Sequence, residues 1–300
     1  MQAAQGKRRN RLPWHDPAGR FSALKASCLV LMALPAAWMA REVQSGNWDF
    51  PSPYVGLIYH SGLWTTYLLL ASLLVTPLRS IGGWRQLVHV RRMLGVACFF
   101  YCVLHLFAWF GLRFWDWSSL GGELIGRLSL WIAAIAMTIL LALAATSFDT
   151  AMRSMGVRWK QLHRLTYAAA LLGVTHFLLS PGSVQGAPFL MAGMLTWVLG
   201  WRLLARRSLG EKPAAIALLG FGSSLAALLL QPLWLGTVQQ GLSLSPATAL
   251  TDNLNPQVWQ YLGVPPVWML LAWTLVTVSI SVWRQTKTLP KPISSPHSIS

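Results

Sequence analysis

The sequence is poor in charged residues, and acidic residues are the scarcest. Charged residues make up 11% of the 300, with 8 aspartates and glutamates against 24 lysines and arginines. A soluble domain carries roughly 25% charged residues, so this composition excludes an ordinary globular protein. Hydrophobic residues make up 54% of the chain. They form runs of about 20, the length that crosses a hydrocarbon core. The sequence therefore predicts an all-α, polytopic membrane helix bundle.

The chain also lacks the marks of a nucleic-acid-binding or nucleotide-binding protein. Its net charge is +16, but the basic residues lie between the apolar runs and form no single patch, as in membrane proteins. The nearest approach to a G-x-G-x-x-G fingerprint, at Gly220 and Gly222, lies in an apolar run and lacks the third glycine. We therefore expect no nucleic-acid partner and no nicotinamide-binding domain.

Eight apolar runs have the length of membrane spans: about 24–42, 55–77, 91–112, 127–148, 161–180, 187–205, 213–236 and 262–284. Lysine and arginine are concentrated before the first run and after the second, fourth, sixth and eighth, whereas the alternate connections are poor in them. Cytoplasmic loops are enriched in these residues, so both termini are predicted to be cytoplasmic. The predicted regions are a basic N-terminal segment (1–23), a six-span core (24–205), a two-span extension (206–284) and a disordered cytoplasmic tail (285–300), in which His297 is exposed and uninvolved.

Two histidines stand at matching depths in two of these spans. His105 lies about 14 residues past Arg91, and His176 lies about 16 residues past Lys160. Both spans run in the same direction, and both histidines are roughly 21–24 Å along their helices. Ionisable side chains inside a bilayer usually face the bundle interior with a partner. Two neutral imidazoles at one depth on neighbouring helices are what a haem with two histidine ligands requires. An interhelical hydrogen bond without haem is the alternative.

Other candidate residues lie away from this pair. His163 is about 20 Å from His176 along the helix axis and near the cytoplasmic face, so it cannot bind the same iron. It is predicted to bind a second haem, or to hold a different cofactor or donor, although an ordinary interface residue is the alternative. Arg91 and Arg92 begin the third span, where they contact anionic lipid or a haem propionate or cofactor phosphate. His60, which opens the second span, is a further candidate iron ligand.

Three stretches carry a resemblance to a known family: IYHSGLWTTYLLLASLLVTPL (58–78), RRMLGVACFFYCVLHL (91–106) and RWKQLHRLTYAAALLGVTHFLLS (158–180). They resemble the haem-binding membrane subunit MsrQ, also called YedZ, of the ferric-reductase-like transmembrane superfamily. The ligand histidines of that family match His105, His163 and His176. The likeness covers about 20–205, and the last two predicted spans have no counterpart in family members of the usual length.

The resemblance implies a b-type cytochrome of the bacterial inner membrane that binds haem b and FMN. It implies a chain that takes electrons from the quinone pool or a cytoplasmic flavin reductase. The acceptor would be a periplasmic molybdopterin enzyme, an MsrP-like reductase of methionine sulfoxide in oxidised proteins. The chain would then be an electron-transfer subunit of an oxidoreductase system. Two alternatives stay open: a related cytochrome that reduces a ferric chelate or another periplasmic oxidoreductase, and a transporter without redox chemistry.

Overall fold

A computed structural model describes residues 12–288 except 16–18, 47, 49, 119, 181–185 and 238–245. The described residues form helices and the loops that connect them, with one isolated β-bridge between His15 and Phe21. The predicted all-α fold is therefore confirmed. The described residues do not include Lys7, Arg8, Arg9, Arg11 or His297, nor the part of the predicted tail from residue 289 onwards. The last helix ends at Thr288.

The helices follow one another along the chain as α1 (Ala23–Ser45), α2 (Pro53–Gly82), α3 (Val88–Leu112), α4 (Leu120–Gly126), α5 (Leu128–Ala145), α6 (Asp149–Met155), α7 (Val157–Leu162), α8 (Thr166–Leu179), α9 (Ala187–Arg206), α10 (Pro213–Thr237), α11 (Pro246–Asp252), α12 (Pro256–Leu262) and α13 (Pro266–Thr288). Two 3-10 turns, Arg85–Leu87 and His163–Leu165, precede α3 and α8. The short helices α4, α6, α11 and α12 lie in connections between predicted spans.

Seven helices in the described part of the chain are long and apolar enough to cross a membrane: α1, α2, α3, α5, α9, α10 and α13. Each matches a predicted span, so the chain is a multi-pass membrane protein. The span predicted at 161–180 is the exception, because α7 ends at Leu162 and α8 has only 14 residues. Among the described residues, seven of the eight predicted spans are thus single long helices, and the remaining one is divided between α7 and α8 by the turn His163–Leu165.

Two side chains bond to backbone carbonyls at this interruption. The Nδ1 atom of His163 lies 3.1 Å from the carbonyl oxygen of Trp159, and the Thr166 hydroxyl donates to the carbonyl of His163 at 2.7 Å. Side chains that bond to nearby carbonyls in this way compete with the regular helical ladder. The turn between α7 and α8 therefore carries His163, and α8 alone carries His176.

The chain divides into two compact units, one comprising Met1–Val75 and Gln86–Leu195 and the other comprising Thr76–Arg85 and Thr196–Ser300. In the first unit, α1 packs on α3, α3 on α5, and α5 on α8. In the second unit, α10 packs on α13. The predicted boundaries at residues 205 and 284 stay predictions.

Tyr101 fastens α3 to α1 next to a proline. Pro35 lies inside α1 and has no N–H to donate, which weakens the ladder around it. The Tyr101 hydroxyl lies there, between the Ala36 N–H and the Met32 carbonyl. It accepts a hydrogen bond from the Ala36 N–H at 3.0 Å and donates one to the Met32 carbonyl at 2.7 Å. Because Tyr101 lies one helical turn before His105, this contact helps to fix the part of α3 that carries the histidine.

Small residues allow α10 and α13 to approach closely. A β-carbon added at Gly220 of α10 would overlap the side chain of Thr274 in α13. The nearby hydroxyls of Ser224 and Thr274 are buried and bond to carbonyls of their own helices. Glycine and hydroxyl residues at a helix contact are typical of packing within membranes. The second unit is thus built on a tight helix pair.

Candidate cofactor site

His105 of α3 and His176 of α8 meet inside the first unit. Their ring centres lie 6.3 Å apart, and the ring planes make an angle of 86°. Both rings line a cavity of about 350 Å³, the paired-histidine cavity, whose walls come mainly from α2, α3, α5 and α8. The predicted meeting of these two side chains is confirmed, whereas their binding of iron stays a prediction.

A main-chain carbonyl holds one nitrogen of each ring. The Nδ1 atom of His105 lies 2.8 Å from the carbonyl oxygen of Ile58 in α2. The Nδ1 atom of His176 lies 2.9 Å from the carbonyl oxygen of Ser129 in α5. A carbonyl oxygen only accepts hydrogen bonds, so each neutral ring carries its hydrogen on Nδ1 and its lone pair on Nε2. Metal-binding histidines are typically oriented in this way, with the second nitrogen donating to a carbonyl or carboxylate.

The distance between the rings fits two ligands of one metal ion. If the two rings bound one metal ion, each through a metal–nitrogen bond of about 2.0 Å, their centres would lie about 6 Å apart. The observed separation is 6.3 Å. The cavity wall is mostly apolar, with Leu63, Leu69 and Leu140 among its side chains, as a porphyrin requires. The residues present therefore fit a haem with two histidine ligands.

Gly62 of α2 belongs to this site, and the sequence analysis did not single it out. A β-carbon at this position would lie 2.9 Å from Nδ1 and 3.0 Å from Cε1 of His105. The imidazole thus packs directly on the backbone of α2, next to the Ile58 carbonyl that it binds. The available signal was a glycine inside an apolar helix, where glycine costs about 1 kcal/mol relative to alanine.

His163 lies in a separate cavity of about 550 Å³, the basic cavity. Its ring stacks on that of Trp159, with centres 3.9 Å apart and planes at 25°. The backbone of Leu143 also interacts with this ring electrostatically. Among the described residues, the buried Nε2 atom of His163 makes no hydrogen bond of ordinary length and angle. Leaving a buried polar atom without such a bond is unfavourable, and a ligand that bonded to this nitrogen would remove that cost.

Cationic side chains give the basic cavity its name: Arg91, Arg92, Lys160 and Arg164. Arg92 forms an ion pair with Asp149, and both side chains are about half exposed. The predicted binding residues Arg91 and Arg92 are therefore brought together with His163 and not with the histidine pair. A phosphate or carboxylate of a cofactor in this cavity would find charge-assisted partners.

Comparisons with known proteins show the family of this chain. Residues 61–174 match the family model described as the ferric reductase like transmembrane component. A protein-methionine-sulfoxide reductase haem-binding subunit MsrQ from Azospira oryzae is 38% identical over 190 residues, which are 62% of this chain and 81% of the relative. The MsrQ of Rhodospirillum rubrum is 35% identical over 204 residues, 66% of this chain and 95% of the relative. The chain belongs to the MsrQ family.

Another MsrQ protein, from Pectobacterium carotovorum, is 39% identical over 161 residues, which are 53% of this chain and 80% of the relative. The predicted resemblance to MsrQ is therefore confirmed. The names of these relatives describe each as the haem-binding subunit of protein-methionine-sulfoxide reductase. The ferric-reductase match contains His105 and His163 and ends just before His176. No solved structure matches this chain.

Of the predicted iron ligands in this MsrQ family member, His60 is the one that lines neither the paired-histidine cavity nor the basic cavity. Aromatic rings surround it instead: Trp38 at 4.7 Å, Tyr59 at 5.0 Å, Phe50 at 5.6 Å and Trp48 at 5.8 Å between centres. The Trp48 ring lies nearly parallel to the imidazole. We therefore assign His60 to an aromatic cluster between α1 and α2.

Proposed function

We propose that this chain is the haem-binding electron-transfer subunit of a methionine sulfoxide reductase system, with His105 and His176 as the two ligands of a haem b. The pairing of the two rings carries the proposal: they lie 6.3 Å apart, and each Nδ1 is held by a carbonyl. The names of the MsrQ relatives support it. A bound haem would supply an iron that accepts and releases one electron at a time.

The residues of the paired-histidine cavity would prepare the site for this chemistry. The Ile58 and Ser129 carbonyls fix the tautomer and orientation of both imidazoles, so the rings need little reorganisation when the charge of a ligated metal changes. The mostly apolar wall would lower the polarity around the ligands. Low polarity and hydrogen bonding around the ligands are two means by which a protein sets a haem potential.

We place electron entry at the basic cavity. The Nε2 atom of His163 is suited to bind a second haem or to contact FMN, while Arg91, Arg92 and Lys160 are suited to a propionate or phosphate. The proposed donor is the quinone pool or a cytoplasmic flavin reductase. This cavity lies at the basic ends of the helices, and the alternation of lysine-rich and arginine-rich connections supports a cytoplasmic position for those ends and for both termini.

We place electron exit on the opposite, periplasmic side of a bacterial inner membrane. The acceptor would be an MsrP-like molybdopterin subunit that reduces methionine sulfoxide in oxidised proteins. The charge pattern of the connections supports this orientation, and the names of the relatives support the reductase system.

The test measures reduction and reoxidation of the haem in the purified chain, in detergent and in the absence of oxygen. We expect a quinol, or FMN reduced by a flavin reductase, to reduce a low-spin b-type haem. An MsrP-like reductase with methionine sulfoxide should then reoxidise it. Reoxidation by a ferric chelate and not by the reductase would favour the alternative cytochrome. A protein that stays colourless after growth with sufficient haem would point to a transporter and contradict the proposal.

A further inference from the structure

The two carbonyls that hold the histidine pair lie inside regular helices. In an α-helix the carbonyl of residue i already accepts from the N–H of residue i+4. The side chain of residue i+4 also points back towards that carbonyl. Within α2 itself, the Thr65 hydroxyl reaches the Ser61 carbonyl at 2.8 Å, and that of Thr66 reaches the Gly62 carbonyl at 3.1 Å. A small residue four positions later therefore makes room for a donor from a second helix, even at Ile58, whose carbonyl also lies 3.4 Å from the Ser61 hydroxyl.

Small residues stand at both of these positions. Four residues after Ile58 is Gly62, and four residues after Ser129 is Ala133. Both line the paired-histidine cavity. At Gly62 the space is fully used, because a β-carbon would lie 2.9 Å from Nδ1 of His105. Two helices with unrelated sequences thus present a carbonyl to an imidazole in the same way.

We propose that Gly62 and Ala133 are positioning residues, whose small size gives each imidazole room to reach the Ile58 or Ser129 carbonyl, so that this carbonyl can hold one histidine by Nδ1 and direct its Nε2 to the metal. The proposal rests on the proposed ligation of haem by His105 and His176. It adds the residues that orient these ligands and that contribute to the reduction potential.

Two substitutions disturb the hydrogen bonds from the histidines to these carbonyls, one by added bulk and the other by a competing hydroxyl. Gly62→Ala places a methyl group against the His105 ring, so the ring must move away from the Ile58 carbonyl. Ala133→Ser changes the volume little, but its hydroxyl can donate to the Ser129 carbonyl as Thr65 does to Ser61. In both variants an imidazole loses, or must share, its hydrogen bond. The ligand then becomes less basic and stabilises ferric iron less.

Each substitution has a matched control. Gly222→Ala makes the same change in a membrane helix at a position where a β-carbon meets nothing within 4 Å. Ala134→Ser adds the same hydroxyl one residue along α5, on an exposed side chain outside the paired-histidine cavity. These controls separate the effect on the carbonyls from the general effect of a methyl or hydroxyl group in a membrane helix.

The experiment measures haem affinity by titration of the apoprotein, and the midpoint potential by spectroscopic redox titration of the full chain. We expect Gly62→Ala and Ala133→Ser to weaken haem binding roughly 10- to 100-fold, the usual effect of losing a partner of a metal ligand. We expect the ferric form to be weakened more than the ferrous form. A tenfold difference corresponds to a rise of about 59 mV for one electron. Both controls should keep the wild-type values.

The outcomes separate this inference from the proposed function. If the wild-type chain gives no low-spin haem signal, the proposed function fails, and the positioning role fails with it. If the wild-type chain binds haem, while Gly62→Ala and Ala133→Ser both keep its affinity and potential, the positioning role alone is overturned. If Gly62→Ala does not accumulate in membranes, Ala133→Ser decides, because its near-constant volume lets the potential be read in a folded protein.

Discussion

His105 and His176 are held in the same way although they lie on different helices. Each donates from Nδ1 to the carbonyl of a neighbouring helix, at 2.8 Å for His105 and 2.9 Å for His176, and the ring centres are 6.3 Å apart. A pair of core histidines that only bonded to one another would have one ring donating to the other. The observed arrangement instead leaves both Nε2 lone pairs available. It is therefore an arrangement suited to binding a metal between the rings.

The separate cavity of His163 makes electron entry testable. We expect His163→Ala to keep the low-spin haem signal of the histidine pair under the chemical reductant dithionite. Reduction by a quinol or by reduced FMN should slow by about tenfold or more, since removing groups at a cofactor site commonly costs 10- to 100-fold. Stopped-flow absorbance at the haem band measures both. Unchanged reduction by both donors would contradict an entry role for His163.

Tyr101 supplies a prediction about stability. In Tyr101→Phe, the Ala36 N–H and Met32 carbonyl beside Pro35 lose the hydroxyl that joins them. Buried polar groups without partners cost about 1–3 kcal/mol each, so thermal unfolding in detergent should occur at a lower temperature. Tyr261→Phe is the control, because the Tyr261 side chain is 86% exposed. Equal unfolding temperatures for the two variants would show that the hydroxyl does not stabilise the α1–α3 contact.

The contact between α10 and α13 gives another prediction. Gly220→Val forces a branched side chain into the place of Thr274, and overpacking of this kind typically costs about 1–3 kcal/mol. Gly222→Val makes the same change two residues away, where a β-carbon meets nothing within 4 Å. We expect thermal unfolding to detect a loss for Gly220→Val well beyond that for Gly222→Val. A similar loss in both would mean that valine acts through helix propensity and not through packing.

The helices could be predicted because long apolar runs have one stable solution in lipid. With no water to satisfy the backbone, the chain must form helices, and their length follows from the membrane. The break at His163–Leu165 could not be predicted in this way. No proline or glycine lies between Val157 and Thr166. Side chains also bond to carbonyls within unbroken helices such as α2, so no residue pattern marks the break.

The site was predictable where a side chain carries the chemistry. His105 and His176 stand out in apolar runs, and counting residues from the basic ends placed them at one depth. The carbonyls of Ile58 and Ser129 could not be predicted, since every residue has a carbonyl and only the fold selects two of them. Gly62 was missed for a related reason: its importance lies in the ring packed against it.

The measurement that tests the central claim most directly is the reduced-minus-oxidised absorption spectrum of the purified chain, together with its His105→Ala, His176→Ala and His60→Ala variants. We expect a low-spin b-type spectrum in the wild-type chain and in His60→Ala, whose side chain lies among aromatic rings outside the paired-histidine cavity. We expect the low-spin signal of the paired-histidine cavity to be lost in both other variants. A full wild-type spectrum in His105→Ala or His176→Ala would contradict ligation by this pair.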